Sequence, residues 1–203
     1  MNEQQQSLQE LHHIKQMMER SRRFISLSGL SGISAGLFAL LGAWFAVKRI
    51  SMYAHGKSIN YETLQSQLII IAALVLIAAF VAAFIFTYLR SRRNGVSIWG
   101  TTTYRMLINL AIPLIAGAFF VTRMVQMDHI FLIAPTCLLF YGLALINASK
   151  YTLGEIRYLG YCELILGIIN LWIPGYGLIF WAAGFGLLHI IYGIIMWWKY
   201  ERV

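Results

Sequence analysis

Charge is what this sequence has least of. Only 12% of its 203 residues are Asp, Glu, Lys or Arg, about half the share in a soluble domain. Such a deficit suits a surface bathed in lipid, where a charged side chain costs several kcal/mol. Cysteine is almost as scarce. Cys137 and Cys162 both fall inside apolar stretches, so they form no disulfide framework and no metal-ligand spacing. His12, His13, His55 and His129 also lack partners at ligand spacing. No HExxH, GxSxG, P-loop or paired membrane aspartate motif occurs. That argues against the common intramembrane hydrolases. The expectation is a non-enzyme, with no catalytic residue, no metal and no cofactor. No cleavable signal peptide is evident either. The first apolar run follows 23 mostly polar residues, and it exceeds the roughly 7–15 residues of a signal h-region. The first span is therefore expected to stay in the mature protein.

Apolar length is what the sequence has in abundance, at 59% hydrophobic residues. Six stretches stand out, at 24–47, 68–89, 106–122, 130–149, 158–172 and 176–198. A hydrocarbon core of about 30 Å needs roughly 20 helical residues at ~1.5 Å each. Each stretch reaches that length or comes near it. The segments between them are too short for a separate soluble domain. The fold class expected is all-α: a polytopic membrane protein with six transmembrane helices across residues 24–203, preceded by an amphipathic helix over residues 1–23. In that leading helix Leu8, Leu11, Ile14 and Met18 share one face. It can lie on the membrane surface, extend the first span into the cytoplasm, or pair with a partner helix.

The net charge of +8 would suggest a polyanion partner in a soluble protein. Here the basic residues flank the apolar stretches, so topology and anionic lipid headgroups explain them and nucleic acid is not expected. With the N-terminus inside, the inner side carries Lys15, Arg20, Arg22, Arg23, Arg90, Arg92, Arg93, Arg105, Lys150, Arg157, Lys199 and Arg202. The outer side carries Lys48, Arg49, Lys57 and Arg123. This bias favours both termini in the cytoplasm. Trp44, Tyr53, Trp172, Tyr176, Trp197, Trp198 and Tyr200 sit where span boundaries are expected. Pro174 and Gly175 punctuate a tight turn that makes spans five and six an antiparallel hairpin. Pro113 and Pro135 are expected to kink spans three and four. The segment 94–103 reads as an interfacial loop. The two halves of the chain share no matching pattern of Gly, Pro or polar residues, so an inverted repeat is not supported.

Glu163 is the one formal charge inside any apolar stretch. Intramembrane carboxylates face the bundle interior or a water-filled cavity. His189 lies in the sixth stretch at a similar distance from the shared turn, about 20 Å against about 17 Å for Glu163. The two can meet if their helix faces agree. A Glu–His pair at that depth suits a proton relay or a cationic ligand. Buried hydrogen bonding alone is the structural alternative. Tyr161 and Asn109 are the further candidates for this ligand or proton site. Asn147 and Asn170 suit interhelical hydrogen bonds. Glu155 and Arg157 mark the inner mouth of the fifth stretch, as a cap or a gate.

Gly29, Gly32 and Gly36 form a small-residue face on the first stretch, and Ala182, Gly186 and Gly193 form another on the sixth. Such faces let helix backbones approach closely, within one chain or between two copies. The lipid bilayer is thus the first expected partner. A homo-oligomer, a small ligand and a protein partner all remain open.

Two segments carry a family likeness. They are Ser-Arg-Arg-Phe-Ile-Ser-Leu-Ser-Gly-Leu-Ser-Gly at 21–32 and Thr-Leu-Gly-Glu-Ile-Arg-Tyr-Leu-Gly at 152–160. The chain resembles a family of uncharacterised bacterial six-helix membrane proteins of the Bacteroidetes type, over nearly its whole length. The resemblance implies a bacterial inner membrane and brings no assigned activity. The functional expectation is a small transporter, channel or ligand-binding membrane protein built around Glu163 and His189. The alternative is a non-catalytic membrane scaffold or regulatory subunit, acting through its N-terminal helix and small-residue faces.

Overall fold

Long apolar runs with few helix breakers leave the backbone one economical solution. Each N–H and C=O must find its partner within the same helix. The computed structural model describes residues 28–56, 60–95 and 98–201. The expected amphipathic helix at 1–23 lies outside the described residues. Within them all regular structure is helical. α1 is Gly29–Ala54, α2 is Tyr61–Arg93 and α3 is Thr101–Gln126. α4 is Ile130–Ala148, opening with a 3-10 turn over Ile130–Leu132. α5 is Ile156–Trp172 and α6 is Gly177–Tyr200. α6 changes pitch along its length. A π-helical segment, Ala182–Leu188, separates α-helical Gly177–Trp181 from α-helical His189–Tyr200.

Five of these helices, all but α5, are long and apolar enough to cross a membrane. α5 has 17 residues, which gives a length of about 26 Å against a hydrocarbon thickness of about 30 Å. α2 runs further than its apolar core requires, beginning at Tyr61 instead of Leu68. The helix simply continues through Glu62, Ser66 and Gln67, because each further turn satisfies more backbone groups. α3 likewise begins inside the expected interfacial loop, at Thr101. Pro113 is accommodated within α3 without interrupting it. Pro135 falls in the first α-helical turn of α4, just after its 3-10 turn, where a missing N–H is better tolerated than in a helix interior. The turn between α5 and α6 places Gly175 at φ +94, a conformation that favours glycine.

α1 packs between α2 and α6, and α4 packs between α3 and α5. α6 joins the two groups: its first turns reach α4, its π-helical segment touches α5, and most of its length lies along α1. Glycines set the closest approaches. A Cβ on Gly36 would stand 2.6 Å from the Gly186 carbonyl oxygen, and one on Gly193 would stand 2.6 Å from that of Gly29. Gly32 would bring a Cβ to 3.1 Å from the Gly193 Cα. The small-residue faces of α1 and α6 therefore cover each other, and the α1 face is not open to a second copy. Gly142 and Gly160 make an equivalent crossing between α4 and α5, each Cβ falling 2.8 Å from the other's carbonyl oxygen. Outside this core, α2 leaves Leu74, Ile77, Phe80 and Phe84 exposed along its length. An apolar surface of that extent suits lipid, not water.

The C-terminal end of α6 ties four helices together. Glu201 accepts the Gly29 N–H at 2.5 Å and the Ser28 hydroxyl at 3.2 Å, capping α1. It also pairs with Arg90 of α2 at 3.2 Å, while Arg90 donates to the Tyr200 carbonyl at 3.3 Å. Beside it Lys199 and Tyr200 both donate to Glu155 at the start of α5, Tyr200 at 2.6 Å. Partial burial pushes the Glu155 carboxyl up, but the hydrogen bonds from Lys199 and Tyr200 outweigh it and hold the group below the ordinary carboxylate range. A carboxyl lowered on folding contributes stability above its unfolded value and loses it as pH falls through the folded one. Melting in detergent should therefore weaken at acid pH below the ordinary carboxylate range. Glu155→Gln should flatten that part of the profile, and an unchanged acid limb would refute the clamp.

Candidate functional site

The packing stripe of α5 contains its acid. Ile156, Leu159, Gly160, Glu163, Gly167 and Asn170 are the buried residues of this helix, at the three- and four-residue spacing of one face. Glu163 must point where they point, into the bundle, and it is fully buried. The α6 residue facing it is His189, 6% exposed, with Nδ1 3.5 Å from Glu163 Oε1. The far side of the imidazole meets α4, where Tyr141 Oη lies 2.7 Å from His189 Nε2.

The π-helical segment makes this meeting possible. His189 Nδ1 lies 3.0 Å from the carbonyl oxygen of Gly184, five residues earlier in the widened turn. A carbonyl cannot donate, so Nδ1 carries the proton, and Nε2 accepts from the Tyr141 hydroxyl. Gly184 also makes room for the acid. A Cβ there would fall 2.5 Å from both Glu163 Oε2 and Leu138 Cδ2. Such single-segment widenings recur at functional positions of α-helices. Ring packing holds the imidazole in place, with Tyr141 at 5.3 Å and Phe185 at 6.0 Å between centroids.

The result is an unusual account of hydrogen bonds. The single proton on the imidazole edge facing Glu163 is directed at Gly184. Both carboxyl oxygens of Glu163 are consequently buried without a hydrogen-bond partner among the described residues. The 3.5 Å approach is an electrostatic neighbour, not a formed hydrogen bond. Buried polar groups are nearly always bonded, and an exception calls for an explanation. Two forms of the pair have the same net charge. In one the acid and the imidazole are neutral; in the other they are carboxylate and imidazolium. They differ by one proton moved across the gap.

The other candidates fall elsewhere. Tyr161 is 44% exposed, two residues before Glu163 and so on another helix face, with Tyr158 at 6.5 Å. Asn109 donates to the Arg105 carbonyl of its own helix at 2.8 Å. Neither joins the pair, because spacing along a helix determines which face a side chain takes. Asn170 donates to the Ile173 carbonyl at 3.3 Å, stapling the α5–α6 turn. Arg157 donates to Ser149 at 3.4 Å, apart from the Glu155 cluster. Among the described residues no three His, Cys, Asp or Glu converge as metal ligands. Sequence reasoning passed over Tyr141 and Gly184. A signal for Tyr141 existed: a tyrosine near the middle of an apolar stretch is far from the interface where its hydroxyl would find water. Nothing in the sequence marks Gly184 apart from the other glycines of α6, since the π-helical pitch is not visible there. Comparison with family models, characterised proteins and solved structures found no match.

Proposed function

We propose that this chain is a small integral membrane protein with six spans, a proton-coupled transporter or ligand-binding protein whose buried proton site is Glu163 with His189 and Tyr141. One observation carries the reading. A carboxyl inside the bundle is fully buried, has no hydrogen-bond partner among the described residues, and lies 3.5 Å from an imidazole. A purely structural acid would be expected to have its oxygens bonded, because leaving them unpaired is destabilising. An acid that gains and loses a proton must be able to live without a fixed donor.

The sixth span of this reading is α5, whose 17 residues fall only slightly short of the hydrocarbon thickness. The Lys and Arg bias supports both termini in the cytoplasm. The resemblance to bacterial six-helix proteins supports a bacterial inner membrane. The alternative reading, a scaffold or regulatory subunit, draws support from α2, whose central apolar stretch has no residue buried within the chain and so offers the face turned away from α1 to lipid or to a partner span.

The test is flux in proteoliposomes with an entrapped pH-sensitive dye, challenged with a panel of small cationic and neutral solutes. Solute-driven proton movement is expected in the native chain. Glu163→Gln should fold and lose at least 10-fold of that movement. Equal proton movement in the two proteins would reject the site.

A further inference from the structure

One donor in the core has two acceptors within reach. His189 Nδ1 lies 3.0 Å from the Gly184 carbonyl oxygen and 3.5 Å from Glu163 Oε1. It carries one proton and gives it to the carbonyl. A buried carboxylate would draw that proton to itself, because a hydrogen bond to an ionised group is roughly twice as strong as one between neutral groups. The carbonyl keeps it, so this arrangement suits the acid in its neutral form. The imidazole can turn from one acceptor to the other without losing its remaining bond. The Tyr141 hydroxyl holds Nε2 at 2.7 Å and serves as the pivot. The rings of Phe185 and Tyr141 lie 21° and 30° from the imidazole plane, which favours a swing within that plane.

We propose that His189 is a hydrogen-bond switch, giving its Nδ1 proton to Gly184 while Glu163 is neutral and to Glu163 once that acid is ionised. The switch rests on the reading of Glu163 as a proton site. The titratable groups that face the imidazole are Glu163 from α5 and Tyr141 from α4. Cys137 precedes Leu138 on α4, and Tyr192 lies one turn beyond His189 on α6. α1, packed against the other side of α6, has its only charged residues, Lys48 and Arg49, in its last two turns. No fixed charge therefore competes with Glu163 for the imidazole from these helix faces.

One bond breaks in the step. The Glu163 O–H parts, its proton leaves to the aqueous phase, and the electron pair stays on the carboxylate. The Nδ1–H bond is kept and only its acceptor changes, from the Gly184 oxygen to Glu163 Oε1. The Gly184 carbonyl then lacks the side-chain donor that bridges the wide turn from five residues on. In an α-helical turn that carbonyl would accept the N–H four residues on instead, at Leu188. The π-helical segment is thus the part of α6 that responds to the charge on α5. It also contains Gly186, whose carbonyl meets Gly36 of α1, so the response arises two residues from the α1–α6 crossing.

The sequence permits a single-site test. Gly184 and Phe185 form the only Gly-Phe pair in the chain. Glycine labelled with carbon-13 at its carbonyl, together with phenylalanine labelled with nitrogen-15, therefore gives one correlated resonance, that of the Gly184 carbonyl. Its position, which reports the hydrogen bond to that oxygen, is followed by NMR across pH for the full chain in lipid nanodiscs. Infrared spectra over the same range follow the carbonyl stretch of the protonated Glu163 carboxyl, assigned by its loss in Glu163→Gln. The Gly184 resonance is expected to shift as pH rises, with the same midpoint as the disappearance of the carboxyl band, and to hold one position in Glu163→Gln. A resonance that stays still while the band disappears would overturn the switch and leave the proton site standing. An equal shift in Glu163→Gln would overturn the switch too. A carboxyl band that is absent, or that persists at every pH where the protein is folded, would overturn the proton site as well. Should Glu163→Gln not fold, Glu163→Leu takes its place in both measurements.

Discussion

Gly193→Leu is expected to destabilise the bundle by about 3 kcal/mol, the upper end of what overpacking a tight site commonly costs. The position leaves no alternative. A Cβ on Gly193 would stand 2.6 Å from both the Gly29 carbonyl oxygen and the Ile33 nitrogen. Both neighbours are α1 backbone, which cannot swing aside as a side chain does. The two helices would have to separate, and separation would also draw Gly36 from Gly186 and loosen the hold of Glu201 on the start of α1. Thermal unfolding in detergent, followed by circular dichroism, measures the effect. Ala73→Leu is the control, because Ala73 is exposed on α2 and a larger apolar group there meets no neighbour that must move. A Tm for Gly193→Leu equal to that of Ala73→Leu would show that α1 and α6 do not approach this closely.

His189→Leu and Glu163→Leu should behave oppositely, although they alter the two members of one pair. Removing His189 takes the acceptor from the Tyr141 hydroxyl and the donor from the Gly184 carbonyl, and takes from Glu163 the imidazole 3.5 Å away. Breaking a buried pair in this way costs about 3–5 kcal/mol. Removing Glu163 instead takes away a carboxyl whose oxygens are already unbonded among the described residues, and an apolar side chain of similar volume should be neutral or stabilising. In the double variant part of the His189→Leu loss should return, because no acid remains to be stranded. A coupling of about 1 kcal/mol or more in the double-mutant cycle is expected. Strict additivity would mean that the two groups do not feel each other, which would also remove the basis of the proton site. Function should follow a different order from stability: Glu163→Leu is the stable protein and the inactive one.

These predictions draw unequally on sequence and structure. That the chain is helical, apolar and divided into six stretches was legible, because hydrocarbon thickness and backbone hydrogen bonding leave so few solutions. Glu163 announced itself for the same reason, as the sole formal charge in that apolar length. His189 could be brought to the right depth by counting residues from the turn. Element ends were less legible: α2 and α3 both start earlier than their apolar cores. Pro135 stands in the first α-helical turn of α4, a placement that depends on where the helix begins.

Composition and hydropathy alone thus give the apolar character of each segment, since transfer between water and an apolar phase acts residue by residue and needs no knowledge of neighbours. Which helix lies against which is another kind of question. Glycines on α1 look the same whether they meet α6 or a second molecule. Tyr161 and Tyr141 look equally available to Glu163 until the helix faces are known. The π-helical turn that aims His189 at Gly184, and leaves the carboxyl unpaired, arises from contacts among α4, α5 and α6. Those contacts are set by close packing in three dimensions, and no single stretch of the chain contains them.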